Sequence, residues 1–316
     1  MNCKNCGCEI NENSTYCENC NKILFENNDP KEISKVDQGV DTKHSLLLIG
    51  MYLLSFYIIG QALSIPIALI FAILGIEETH ESLMLAISNF AIYLTLAASL
   101  LPFSFKFFKH DILKFRGNIK RNLLIIFISF IVMIISTYIV SILINFTLII
   151  GNNLGIIGDK YIDPNATSEN QQLIISMMTD SFASAVFTII PTVIMAPILE
   201  EIIFRKAIFG LSNKFPILRV IIAAIIFASI HIVSGIINNS LYIMLGEEKI
   251  DSIIVEMIYF FSYFSGALIL CFAYYISDYN IIVTIIIHFL NNLLSTIEIY
   301  LLLLLEVLLK YIYYFY

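Results

Sequence analysis

From residue 46 onward the chain is written in long apolar blocks divided by short polar ones. The blocks run roughly 46–75, 83–103, 122–150, 184–212, 217–236, 255–276, 281–297 and 299–315. Each approaches the length of a helix that crosses a bilayer, about 20 residues. The strict alternation of barrel strands is missing. Helices also satisfy every backbone group within their own segment, as lipid requires. The last two blocks are divided by a single charged residue, Glu298, so the pattern predicts seven to eight spans. Ahead of them, residues 23–44 are polar and charged and read as a flexible linker. Residues 1–22 form a separate unit, and 45–316 the transmembrane domain.

Composition supports this partition. Hydrophobic residues make up 59% of the chain, against roughly 45–50% in an average soluble domain. Charged residues are 14% and the mean hydropathy is +0.85. A soluble globule of this size could not hide that much apolar side chain. The net charge of −7 lies in loops and tails and says little about partners. No basic patch with interleaved aromatics occurs, so nucleic acid is not an expected partner. The first residues, Met1-Asn2-Cys3-Lys4, are polar, and the first apolar block is too long for a signal-peptide core. No cleavable signal is expected.

Lysine and arginine set the expected orientation. The segment 104–121 carries Lys106, Lys109, Lys114, Arg116, Lys120 and Arg121, and reads as a cytoplasmic loop. The acidic turn with Glu77, Glu78 and Glu81 fits the outside, as does 151–183 with its single cation, Lys160. Lys214 and Arg219 place the next turn inside. The N-terminus is then cytoplasmic, with Lys22, Lys31, Lys35 and Lys43 in agreement. The expectation is an integral protein of a bacterial plasma membrane, with membrane lipids as surroundings.

Four of the six cysteines form two C-x-x-C pairs, Cys3/Cys6 and Cys17/Cys20. Each pair can wrap one edge of a tetrahedral metal ion. Gly7 and Asn21 follow the second cysteine of each pair, and both residue types tolerate a left-handed turn. A unit of 22 residues has too little core to fold unaided, so metal binding would supply the folding energy. A cytoplasmic location disfavours disulfides. The expected cofactor is a structural zinc held by Cys3, Cys6, Cys17 and Cys20, with Cys8 as a spare that could compete. Cys271 lies in an apolar span and reads as packing. The unit resembles the short zinc ribbons that open many bacterial membrane proteins, which implies an interaction module. The expected fold class is therefore an all-α polytopic membrane protein of seven to eight transmembrane helices, preceded by a small zinc-ribbon unit and a flexible linker.

Ionisable groups inside a bilayer are costly, and each is a functional candidate by default. The fourth block holds Glu200 and Glu201 within PILEEIIFRKAIF, and two further blocks hold His231 and His288. Residues four apart share a helical face. Glu201 and Arg205 can thus form an ion pair, leaving Glu200 about 100° away without that local partner. A desolvated carboxylate lacking a counter-ion suits general-base work near neutral pH. His288 with Asn292, and Phe227 with His231, are also four apart. Taken singly, each group has an ordinary packing role: a self-neutralising pair, a hydrogen-bonded core histidine, an asparagine bridging helices. Phe227 reads as core.

Depth adds a check, at about 1.5 Å per residue. With the turn 213–216 at the cytoplasmic surface, Glu200 lies about 20 Å back along its helix and His231 about 22 Å along the next. His288 lies only about 12 Å beyond Asn280, which demands tilt or a recessed turn. Two chemistries remain open. Glu200 can act as base on water while histidine and asparagine donors hold the oxyanion. Alternatively, Glu200 and the two histidines bind a catalytic zinc that activates the water. No G-x-S-x-G and no H-E-x-x-H run occurs. Glu298 and Glu306 stay unassigned.

Glu200-Glu201-Ile-Ile-Phe-Arg205 resembles the E-E-x-x-x-R motif of the CAAX protease and bacteriocin-processing (CPBP) family. Phe227-Ala-Ser-Ile-His231 resembles its F-x-x-x-H motif, and His288-Phe-Leu-Asn-Asn292 its H-x-x-x-N motif. All three come in the family's order, over roughly residues 180–300. The resemblance implies an eight-helix membrane fold with a site that opens from the cytoplasmic side. It implies Glu200 as base, His231, His288 and Asn292 as water-positioning or oxyanion groups, and Glu201 and Arg205 as support. The expected activity is that of an intramembrane endopeptidase cutting membrane-associated peptides or proteins with a glutamate-activated water. The alternatives are a non-catalytic bacteriocin self-immunity or scaffold protein, and a transporter that uses the same groups as a proton relay. The transporter is disfavoured because no internal repeat is found.

Overall fold

The computed structural model describes residues 6–9, 19–20, 40–75, 80–162, 167–211, 216–246 and 250–315, with side chains to residue 309 in the last segment. Cys3, Cys17, Glu77, Glu78 and most of the linker lie outside these residues. Cys6 and Cys20 lie within them, and the Cys6 sulfur sits 3.1 Å from that of Cys8. The ribbon and its zinc thus remain expectations.

The membrane domain is a bundle of helices: α1 (Thr42–Leu74), α2 (Glu81–Gly117), α3 (Ile119–Asn153), a short α4 (Glu169–Asp180), α5 (Phe182–Gly210), α6 (Pro216–Met244), α7 (Ile250–Ile276) and α8 (Ile281–Phe315). All but α4 are long and apolar enough to cross a membrane, giving seven spans among the described residues. Large apolar side chains such as Phe182, Ile73 and Ile142 are exposed on the outside of the bundle. Among soluble domains that would be an aggregation liability; facing lipid, it is the expected outer surface.

Three boundaries depart from the hydropathy reading. The last two apolar blocks are one helix, α8, and Glu298 does not divide it. Glutamate is a good helix former, and this carboxylate accepts a hydrogen bond from Tyr138 on α3. The segment 104–121 is not a loop. α2 continues to Gly117, and α3 starts at Ile119. A helix of 37 residues is about 55 Å long, so it carries its lysines beyond the roughly 30 Å of hydrocarbon. Finally, α1 begins at Thr42, inside the stretch read as linker. Asp41 caps it, accepting from the His44 amide at 2.7 Å. Val40 is already buried in the core.

α5 is the central element. Residues 201–207 are buried on every face, including Arg205 and Lys206. Around it, Leu48, Tyr52, Leu96, Phe107, Phe227 and Tyr274 form the main core cluster. α6 and α7 pack along one another, and α7 and α8 pack against α3.

The turn 277–280 explains the depth mismatch of His288. It is partly recessed: Ser277, Tyr279 and Asn280 are buried, while Asp278 stays exposed and pairs with Arg121. Asp278 and Tyr279 take φ of 57° and 62°, a tight left-handed pair. Asn280 donates to the Asp111 carbonyl, and the Ile281 amide donates to the Asp111 carboxylate at 2.8 Å. Lys206 closes the cluster with a 2.7 Å ion pair to Asp111, both side chains fully buried. Asp111 on α2 thus pins the recessed start of α8, and His288 stands at the level of Glu200. Burial pushes the neighbouring Tyr279 hydroxyl up to about 12, so it stays neutral.

Candidate active site

The local sequence of α5 breaks its own hydrogen-bond register twice. Wide, π-type turns span Ile190–Met195 and Ile202–Ala207, and bracket the regular segment Ala196–Glu201. In the first turn the Ala196 amide donates back five residues, to Pro191. The next carbonyl, Thr192, would then look to residue 197. That residue is Pro197, which has no N–H. The Asn292 side chain fills the gap, donating to the Thr192 carbonyl at 2.9 Å. The amide of the third motif is therefore held by a backbone group that the α5 sequence leaves open. Turns of this kind concentrate at functional sites.

The two glutamates that follow both reach α8. His288 Nδ1 lies 3.0 Å from Glu201 Oε1. A carboxylate only accepts, so that nitrogen carries the proton. Glu201 Oε2 lies 2.9 Å from Arg205 Nε, the i,i+4 pair that the spacing requires, with both side chains buried. The Arg205 guanidinium in turn lies over the Phe227 ring, 5.3 Å from its centre. Glu201 and Arg205 thus hold His288 and Phe227 in place and are themselves sealed from the cavity.

Glu200 faces the other way. Its Oε2 is 4.0 Å from His288 Nε2, too long for a direct hydrogen bond and wide enough to ask whether a water bridges the two. Its Oε1 accepts from the Tyr93 hydroxyl of α2 at 3.1 Å. Nothing in the sequence singles out Tyr93, one of 17 tyrosines. Only the tertiary packing of α2 on α5 brings it to the carboxylate.

His231 is fixed by three contacts. Nδ1 lies 2.9 Å from the Phe227 carbonyl, one turn back on α6. That oxygen can only accept, so Nδ1 donates and Nε2 is left for other work. The ring is sandwiched between Phe227, at 4.5 Å, and Tyr263 of α7, at 4.7 Å. Phe227 is therefore core, as its residue type suggests, and also the wall that sets the histidine plane. The Tyr263 hydroxyl is tied to Ser168 and Asn170 at the start of α4, which links that short helix to the site.

Glu200, His231, His288 and Asn292 all line one cavity of about 820 Å³, together with Tyr93 and Tyr263. Glu201 and Arg205 do not line it. Among the described residues, no group of three or more His, Cys, Asp or Glu side chains is gathered closely enough to hold a metal ion. Among these described residues, Glu200, His231 and His288 are thus not drawn together as a ready-made metal site.

Among the described residues, seven spans surround one cavity bordered by a carboxylate, two imidazoles and an amide. Residues 182–294 match the family model described as Rce1-like, type II CAAX prenyl endopeptidase. This stretch is similar to that family over the same residues that carry the three motifs resembling CPBP. It covers a little over a third of the chain, from the first residue of α5 into α8. No curated protein and no solved structure matches the chain.

Proposed function

We propose that the protein is an endopeptidase that hydrolyses peptide bonds of membrane-associated peptides or proteins at Glu200. The observation that carries the reading is the convergence of Glu200, His231, His288 and Asn292 on one cavity, from three helices and far-apart stretches of sequence. Four costly polar groups that served only packing would have no reason to share an open space.

The chemistry follows from the atoms. A water between Glu200 Oε2 and His288 Nε2 loses a proton to the Glu200 carboxylate as its oxygen attacks the scissile carbonyl carbon. The tetrahedral oxyanion needs donors aimed at where charge develops. The Asn292 amide offers its second N–H, since the first is committed to Thr192. His288, when protonated on both nitrogens, offers Nε2–H. Collapse of the intermediate breaks the C–N bond, and Glu200 returns its proton to the leaving amine. Tyr93 orients the Glu200 carboxylate throughout. Glu201 and Arg205 position His288 without touching substrate.

The test is hydrolysis by the purified full chain in proteoliposomes, read with a set of internally quenched peptides. Glu200→Gln should lower the rate by about 10³-fold or more, the range for loss of a general base with its electrostatic setting. Its thermal unfolding midpoint should match the parent's. Equal rates in the two proteins would remove the assignment.

A further inference from the structure

Two helix faces outside the three motifs converge on the start of α4. On α7, Glu256 and Tyr263 stand seven residues apart, two turns along one face. On α6, His231, Gly235 and Asn239 follow one another at four-residue spacing and share a face as well. Glu256 Oε1 accepts from the Glu169 amide at 2.7 Å, and Asn239 donates to the Glu169 carboxylate. Two carboxylates suit this place, because the first turn of a helix leaves its amides without intrahelical partners and carries positive partial charge. Ser168 completes the cap, its Oγ accepting from the Gln171 amide at 3.3 Å. Gly235 makes room for the carboxyl group: a Cβ there would come within 2.9 Å of the Glu256 carboxyl carbon.

Polar groups buried this deeply are costly. Glu256 and Asn239 are 3% exposed and Ser168 is 2% exposed. α4 is 12 residues long, short enough to be marginal as a helix by itself, so its position depends on such ties. Their effect is local: they set Ser168 and Asn170 against Tyr263. Asn170 donates to the Tyr263 hydroxyl oxygen at 3.2 Å, and Ser168 Oγ lies 2.8 Å from it. The hydroxyl end of the Tyr263 ring is thereby fixed. The ring itself stacks on His231, with centres 4.7 Å apart and planes 28° from parallel.

That stacking bears on what His231 presents. The bond from Nδ1 to the Phe227 carbonyl lies within α6, and a ring held by one bond can still tilt about it. Phe227, the other ring against His231, belongs to the same helix and moves with it. Tyr263 is the constraint that comes from a second helix, and through Ser168 and Asn170 from a third.

We propose that Tyr263 is a positioning residue for the reaction. It holds the His231 imidazole with Nδ1 on the Phe227 carbonyl and Nε2 left for the cavity, and Ser168 and Asn170 of α4 hold Tyr263 in turn. The effect on turnover rests on the endopeptidase reading; the hold on the imidazole does not.

The imidazole can be followed directly. The full chain, labelled with ¹⁵N-histidine and placed in lipid nanodiscs, gives ring-nitrogen shifts that report which nitrogen carries the proton. The His231 pair is assigned by its loss in His231→Gln. The proposal expects a single neutral form in the parent, protonated at Nδ1. Tyr263→Leu removes the stacked ring and should give a mixture of Nδ1–H and Nε2–H forms. Tyr263→Phe keeps the ring and drops the hydroxyl, and should show a smaller share of the second form. Hydrolysis per folded molecule should fall about 100-fold in Tyr263→Leu, the scale of a 1 Å misplacement, and about 10-fold in Tyr263→Phe, in kcat more than in KM. Ser168→Ala/Asn170→Ala should lower the rate at least as far as Tyr263→Phe does. Adding Tyr263→Phe to that pair should cost nothing more, since residues that act through one contact are not additive.

Parent-like His231 shifts in Tyr263→Leu overturn the hold on the imidazole, whether the rate or the thermal midpoint has fallen or not. If Tyr263→Leu does not fold, parent-like shifts in Tyr263→Phe overturn it instead. Full additivity of Tyr263→Phe with the α4 pair overturns the link to α4. A parent chain that hydrolyses no peptide sinks the endopeptidase reading, and the ¹⁵N shifts alone then decide whether Tyr263 holds the imidazole.

Discussion

Two clusters of ionisable residues lie inside this bundle, and they are built on different rules. In the Lys206–Asp111 cluster, charges of opposite sign meet at 2.7 Å with no exposed surface. The second Asp111 contact goes to a backbone amide, and Asn280 holds the Asp111 carbonyl. Around Glu200 the contacts are looser: 3.1 Å to a neutral tyrosine hydroxyl and 4.0 Å to an imidazole, beside a cavity. A saturated cluster fixes a turn. An unsaturated one keeps lone pairs and protons available, and buried charges left in that condition are tolerated where chemistry uses them. The Glu201–Arg205–His288 relay joins the two regimes, with a buried ion pair on its inner side and His288 Nε2 presented on the other.

The sharpest way to break this comparison is to damage the saturated cluster. Asp111→Ala leaves Lys206 buried without its carboxylate partner, and should cost about 3–5 kcal/mol, read as a lowered thermal midpoint in detergent. The double variant Asp111→Leu/Lys206→Met should recover most of it, because an apolar pair needs no desolvation to be offset. A single variant as stable as the parent would mean that the pair does not hold α8.

In the unsaturated cluster the effect should fall on rate. Asn292→Ala is expected to lower hydrolysis about 100-fold per folded molecule, as for loss of one oxyanion donor. It should also cost about 1–3 kcal/mol of stability through the exposed Thr192 carbonyl. A full rate with reduced stability would leave Asn292 as interhelical glue alone. Pro197→Ala separates these roles more finely. It restores an N–H that can compete for Thr192, so the Asn292 amide should lose its anchor and activity should drop by about 10-fold, while the helix itself does not weaken. Unchanged activity would show that the anchor is dispensable. Smallest of all, Tyr93→Phe removes one hydrogen bond to a charged group, for about a 10-fold loss of rate or less with no shift of the thermal midpoint. A loss as large as that of Glu200→Gln would instead make the hydroxyl part of the reaction.

What the sequence makes legible is what helical spacing encodes. Glu201 with Arg205, and His231 under Phe227, are contacts within one helix, and four-residue periodicity predicts both. The joining of three helices at one level was legible only through depth, and there the His288 estimate failed for lack of Asp111. That aspartate sits among lysines in a segment whose charges suggest a loop, so neither its burial nor the recessed turn it holds could be read. Tyr93 was hidden for the opposite reason: it is one aromatic among many, in a helix with no motif. The Asn292–Thr192 bond depends on a register break in α5, which Pro191 and Pro197 hint at but do not specify. Glu298 misled because a lone charge between apolar runs marks a boundary for hydropathy while leaving a helix intact.

The central claim is that Glu200 activates a water which ends up in the cleaved peptide. The purified full chain can be incubated with a mixed peptide library in ¹⁸O-enriched water, and the products sequenced by mass spectrometry beside those of Glu200→Gln. The account predicts new C-termini that each carry one ¹⁸O atom with the parent protein, and none above background with the variant. The same products at the same yield from Glu200→Gln, or products without ¹⁸O, would contradict it.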